Sequence, residues 1–141
     1  MQKNLTQEID VGKITVLKKD VVLIKYHPSR KITRKELLDL QEAIKQLIGE
    51  KPFYAIFDYT EGMPIYSGEA KSFAAISKES NQFRILDVLI AYNWRTRIEI
   101  MLYKKLYRPK KKIVVVDNMQ EAQEAILIER EELMSTVSMA G

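Results

Sequence analysis

The chain has 141 residues, of which 46% are hydrophobic and 30% charged, with only 5 Gly and 4 Pro. That composition fits one globular domain and excludes a disordered or collagen-like chain. Cysteine is absent and His27 is the single histidine, which excludes disulfides, thiolate nucleophiles and multi-histidine metal centres; the net charge of +4 is modest.

Residues 1–12 read as an N-terminal extension. Lys13 to Lys18 and Val21 to Tyr26 are β-branched and apolar, and Lys19-Asp20 is short enough to turn one antiparallel strand into the next. Pro28-Ser29-Arg30-Lys31 breaks the pattern. Thr33-Arg34-Lys35-Glu36 then forms a capping box, and Leu37, Leu40, Ile44, Leu47 and Ile48 recur at helical spacing up to Gly49, which suits a helix end.

Phe53 to Asp58 is an almost continuous apolar run, as in a strand covered on both faces. Thr60 to Tyr66 contains Gly62 and Pro64 and reads as a loop. Ser67 caps a second helix to about Glu79, with Ala70, Phe73, Ala74 and Ser77 on its inner side. Ile85 to Tyr92 is the next buried strand. Asn93 caps a third helix that ends at Pro109, its inward stripe being Trp94, Ile98, Met101, Leu102 and Leu106. Ile113 to Val116 forms the last strand. Asp117 or Asn118 caps a final helix with Met119, Ala122, Ile126 and Leu133 facing inward, and residues 135–141 form a frayed tail.

The order is β-β-α-β-α-β-α-β-α. It predicts an α/β domain over residues 13–134: one mixed, mostly parallel five-stranded sheet with four helices and an antiparallel hairpin at its edge. Phe53–Phe57 and Ile113–Val116 are expected side by side and parallel at its centre.

This order, with Pro52-Phe53-Tyr54-Ala55-Ile56-Phe57-Asp58, Leu89-Ile90-Ala91-Tyr92 and Ile113-Val114-Val115-Val116-Asp117-Asn118-Met119-Gln120-Glu121-Ala122, resembles the STAS-like or SpoIIAA-like domains of bacterial anti-sigma-factor antagonists. The resemblance implies a regulatory, non-enzymatic module that binds a protein partner and is switched by phosphorylation of a serine at the start of the second helix. Ser67 matches that position and is the candidate phospho-switch. A phosphate there would meet free backbone N–H groups and the positive end of the helix dipole. In the family the strand's aspartate runs almost directly into the serine, whereas eight residues separate Asp58 from Ser67 here.

In an open parallel sheet, ligands bind beyond the carboxyl ends of the strands. Asp58, Thr60, Asn93 and Asp117 fall there and form a candidate ligand edge, although helix capping explains Asn93 and Asp117 equally well. No catalytic constellation emerges. Ser77, Ser80 and Thr33 have no histidine partner other than His27, and no glycine-rich phosphate loop is present, so no cofactor or metal is expected.

Eight basic residues lie between Arg95 and Lys112, against one acid, Glu99. Arg95, Arg97, Lys104, Lys105, Arg108, Lys110, Lys111 and Lys112 read either as a solvated helix end or as a patch for an anionic partner. That partner is an acidic protein or an anionic lipid surface; nucleic acid is the weaker option, although Tyr103 and Tyr107 interleave with the cations. A looser likeness to lipid-carrying Sec14 domains adds a small-molecule or lipid carrier as the alternative function. A homodimer through exposed helix faces is a further expectation. No apolar run reaches the roughly 20 residues of a membrane span, and the first ten residues lack the apolar core of a secretory leader, so the expected location is cytoplasmic.

Overall fold

The computed structural model describes residues 5–28 and 30–140, with side chains described to Thr136. Three strands come first: β1 (Leu5–Ile9), β2 (Gly12–Lys18) and β3 (Val21–Tyr26). A two-residue strand, β4 (Lys31–Ile32), leads into α1 (Arg34–Ile48). Then come β5 (Phe53–Asp58), the short β6 (Ile65–Tyr66), α2 (Gly68–Ile76), α3 (Lys78–Asn81) and β7 (Arg84–Ile90). The chain closes with α4 (Trp94–Tyr107), β8 (Lys112–Val116) and α5 (Met119–Ala140).

The main sheet has six strands in the order β1-β2-β3-β5-β7-β8, antiparallel up to β3 and parallel beyond it. The α/β class and mixed sheet are as expected, but among the described residues this sheet has six strands instead of five and the chain five helices instead of four. The sixth strand is β1, which pairs with β2 where an extension was expected; residues 1–4 of that extension, Ser29 and Gly141 lie outside the described residues. Residues 135–140, expected as a frayed tail, continue α5. A second, two-stranded sheet pairs β4 with β6 inside segments read as a break and a loop. β5 and β8 run parallel, yet they are not neighbours: β7 lies between them, and β8 is the sheet edge. Both runs are strongly apolar, but so is β7, and hydrophobicity alone does not rank three buried strands.

Because the spatial order repeats the chain order, successive same-handed crossovers keep α1, α2 and α4 on one face. There Leu37, Leu40, Ile44, Ala70, Phe73 and Ile100 pack on Ile14, Val22, Ile24, Phe57 and Leu89. Among the described residues α5 alone covers the other face, where Ala122 and Ile126 meet Tyr54, Ile56, Val88 and Val116. Arg130 anchors that helix to the β2–β3 turn with two hydrogen bonds to Asp20, at 2.7 and 2.9 Å, and its guanidinium lies over the Tyr54 ring.

α1 forms as its sequence dictates. The Glu36 carboxylate accepts from the Thr33 backbone N–H at 3.1 Å, and Gly49 ends the helix at φ +83°. α2 is shorter than expected. It stops at Ile76, and Ser77, extended at ψ 140°, caps the separate α3 by accepting from Ser80 N.

The expected inward stripe of α4 is reversed. Trp94, Ile98, Met101, Leu102 and Leu106 are all exposed, and the buried side is Thr96 and Ile100, with Tyr103 half-buried. α4 carries apolar groups on both sides, so the larger apolar face did not identify the inner one. On α5, Ala122 and Ile126 are buried as expected, whereas Leu133 is 42% exposed.

Gly12 opens β2 tight against the β3 backbone: a Cβ there would lie 2.3 Å from the Lys25 carbonyl oxygen and 2.8 Å from the Tyr26 Cα. Backbone cannot swing aside as a side chain can. Gly12→Ala should therefore lower the unfolding free energy by about 1–3 kcal/mol, the usual range for overpacking, as read from the urea midpoint. An unchanged midpoint would show that the hairpin absorbs the methyl group without cost.

Candidate functional site

Between the sheet and helices α1, α2 and α4 lies a cavity of about 500 Å³. Its apolar walls include Leu37, Leu40, Phe57, Leu89, Ile100 and Ile113. Ile65, Leu102 and Leu106 also line it and are 57%, 47% and 72% exposed, so the cavity reaches the surface along apolar side chains.

A cluster of charged groups sits in its wall: Arg84 and Asp87 from β7 and Lys111 just before β8. Their side chains are 7%, 6% and 3% exposed. On a regular strand, residues three apart point to opposite faces. Here the register passes from Phe53↔Arg84 to Tyr54↔Leu86, so Ile85 is an extra residue. That bulge turns Arg84 onto the face of Asp87 and Leu89. Arg84 Nη1 donates to both Asp87 oxygens, at 3.2 and 3.3 Å, and the guanidinium stacks over Phe57 and Phe53.

Lys111 Nζ donates to the Ala74 carbonyl at 2.6 Å and to Asn81 Oδ1 at 3.1 Å, and lies 3.6 Å from Asp87 Oδ2. The break at Ser77 presents these acceptors, because it ends α2 and brings Asn81 back onto the Ala74 and Ser77 carbonyls. Burial lowers the Lys111 ammonium to about 8, against the pull of Asp87, while Arg84 pushes it the same way.

Tyrosines line the same cavity. Tyr26 stacks on Phe57 at 6.2 Å and meets Tyr66 edge-on at 6.1 Å, and the Tyr59 and Tyr66 hydroxyls are 2.8 Å apart. Burial raises Tyr26 to about 12 and raises Tyr59, Tyr66 and Tyr103 as well. Among the described residues, Tyr26 Oη and Arg84 Nε are buried without a hydrogen-bond partner.

The residues expected at the carboxyl edge do not line this cavity. Asp58 accepts from the Thr60 N–H and hydroxyl, at 2.9 and 2.7 Å, in a local turn. Asn93 caps α4 through Arg95 N, Asp117 pairs with Arg97, and Asn118 caps α5 through Glu121 N. Ser67 Oγ accepts from Ala70 N at 3.0 Å, as a helix cap. His27 is exposed.

The eight cations form no single surface. Lys111 is buried, Lys112 pairs with Glu129 and Glu132, Arg97 with Asp117, and Lys104 donates to the Ile113 carbonyl. Arg95, Lys105, Arg108 and Lys110 remain exposed. Among the described residues, no helix is long and apolar enough to cross a membrane, and no three acidic or histidine side chains gather as metal ligands.

Sequence reasoning passed over Arg84, Asp87, Tyr26 and Tyr66. Asp87 did carry a signal, since an aspartate inside Ile-Leu-Asp-Val-Leu-Ile is a charge that must be buried with a partner. The chain was compared with protein-family models, with curated proteins and with solved structures, and nothing matches it.

The buried titrating groups set a pH profile. Between pH 8 and 10 the unfolded chain keeps a proton on Lys111 that the folded chain has released, so stability rises with pH. Above pH 10 the unfolded tyrosines ionise while the buried ones stay protonated, so stability falls. The unfolding free energy should therefore rise by roughly 1 kcal/mol between pH 8 and 9, level off near pH 10 as the unfolded tyrosines ionise, and then decline. Lys111→Met should abolish the rise and keep the decline; a rise that persists in this variant would assign it to other groups.

Proposed function

We propose that this chain is a non-enzymatic binding module that takes up a small, largely apolar molecule, as a lipid or metabolite carrier would. The supporting observation is the cavity of about 500 Å³ under α2 and α4. That volume lies in the range of about 300–1,000 Å³ typical of ligand sites, with apolar walls and a few converging polar groups.

Capping and turn roles account for the polar residues at the carboxyl edge, which favours binding over catalysis. N-phenyl-1-naphthylamine, an uncharged apolar dye, should gain fluorescence on binding to the folded chain. Ala74 lines the cavity and is half-buried. Ala74→Phe should remove the dye signal while the thermal midpoint stays or rises; unchanged dye binding in a folded Ala74→Phe variant would sink this reading.

A second reading, in line with the resemblance to anti-sigma-factor antagonists, is a regulatory module for an acidic protein partner. It rests on the outward side of α4, Trp94, Ile98 and Met101, flanked by the exposed Arg95, Lys105 and Arg108. An exposed apolar helix face is a surface for association, and the flanking cations favour an acidic occupant. Trp94 is the single tryptophan and stands on that side. Its emission should shift to the blue with an acidic amphipathic helical peptide and not with a basic peptide of equal apolar content; equal responses would remove this reading.

A further inference from the structure

The wall of the cavity is unfinished in a specific way. Arg84 Nε and the Tyr26 hydroxyl are both buried, and neither has a hydrogen-bond partner among the described residues. Tyr26 as a residue is 3% exposed and the Arg84 side chain 7%. Both lie against the same ring: Tyr26 stacks on Phe57 at 6.2 Å, and the Arg84 guanidinium sits 5.3 Å from its centroid. A buried donor left unmet is costly, so two of them in one cavity wall call for an occupant that accepts hydrogen bonds.

Charge narrows the occupant further. Five charged residues line the cavity: Lys71, Arg84, Asp87, Glu99 and Lys111. Of these, Arg84, Lys111 and Asp87 form the buried group, and Asp87 alone neutralises only one of its two cations. Lys71 is half-buried and Glu99 exposed. The buried cluster thus carries one uncompensated positive charge in a low-dielectric wall, where a lone charge is costly. A monoanionic acceptor satisfies both deficits together. A phosphate monoester would bring up to two negative charges and would over-compensate.

We propose that the molecule bound here is a carboxylic acid with an apolar body. Its carboxylate accepts from Arg84 Nε–H and from the Tyr26 hydroxyl, and its apolar part lies against Leu40, Leu89, Ile100 and Ile113. This rests on the small-molecule reading above and adds the class of ligand. No bond is made or broken. The carboxylate has enough lone pairs for both donors, and bonds from a charged guanidinium are about twice as strong as neutral ones. Arg84 is held in place by its own bonds to Asp87, so little order is lost when the acid enters.

The test compares acids with the alcohols of the same skeleton: decanoic acid with 1-decanol, and 4-phenylbutanoic acid with 4-phenyl-1-butanol. Each competes with N-phenyl-1-naphthylamine at pH 7 on the full chain. The acids should bind at least tenfold tighter than their alcohols. Tyr26→Phe, which removes only the hydroxyl and keeps the ring on Phe57, should weaken the acids three- to tenfold and leave the alcohols unchanged, with its thermal midpoint as the check on folding. Arg84→Gln should erase the preference, and Arg84→Lys should restore part of it. Alcohols that bind as well as acids to the unaltered chain, or a folded Tyr26→Phe variant with full preference, would overturn the carboxylate while leaving a carrier of uncharged molecules. If neither acid, alcohol nor dye enters, the small-molecule reading falls with it.

Discussion

One extra residue in a strand governs the centre of this molecule. Without the bulge at Ile85, Arg84 would point to the α5 side and Asp87 would face the cavity alone. With it, the two pair across a single face, and Lys111 arrives from the next strand to complete a buried group of three charges. The group is expensive to bury and is held by fixed acceptors: two carboxylate oxygens, a helix-end carbonyl and an asparagine side chain. Bulges tend to occur where a side chain must be re-aimed, and this one re-aims the cation that gives the cavity its character. The break after α2 belongs to the same arrangement, since an unbroken helix through Glu79 would keep the Ala74 carbonyl inside its own ladder.

The parts of the fold that could be read from the sequence are those where local chemistry and tertiary packing agree. α1 has its capping box, its apolar stripe and its terminal Gly49, and each takes up its expected role. β5 reads as a strand buried on both faces and is one. The neighbourhood of β5 was not legible, because β7 and β8 are equally apolar and nothing local says which of them lies beside it. β1 was missed for the opposite reason: Leu5-Thr6-Gln7-Glu8-Ile9 is too polar to signal a strand, and it forms one because it can pair with the edge of β2.

The site was harder to read than the fold. Polar residues at strand ends and helix starts attract attention in a sequence, yet Asp58, Asn93 and Ser67 are occupied by the turns and caps they create. The informative residue was the charged one inside an apolar run, Asp87. Arg84 could not be assigned to a face at all, since a bulge is invisible to alternation counting. The cations after α4 divide likewise. Counted along the chain they look like one patch, but the turn from α4 into β8 sends Lys111 inward and Lys112 to the opposite face, against Glu129 and Glu132.

The bond between Asp20 and Arg130 joins positions 110 residues apart. Among the described residues α5 is the cover of one side of the sheet, and it follows every strand it packs on, so that side stays bare until α5 is made. Tyr54, Ile56, Val88 and Val116 must wait in water for the last helix to arrive. Docking of α5 onto the β2–β3 turn then closes that side, and the sheet is most prone to aggregate before it.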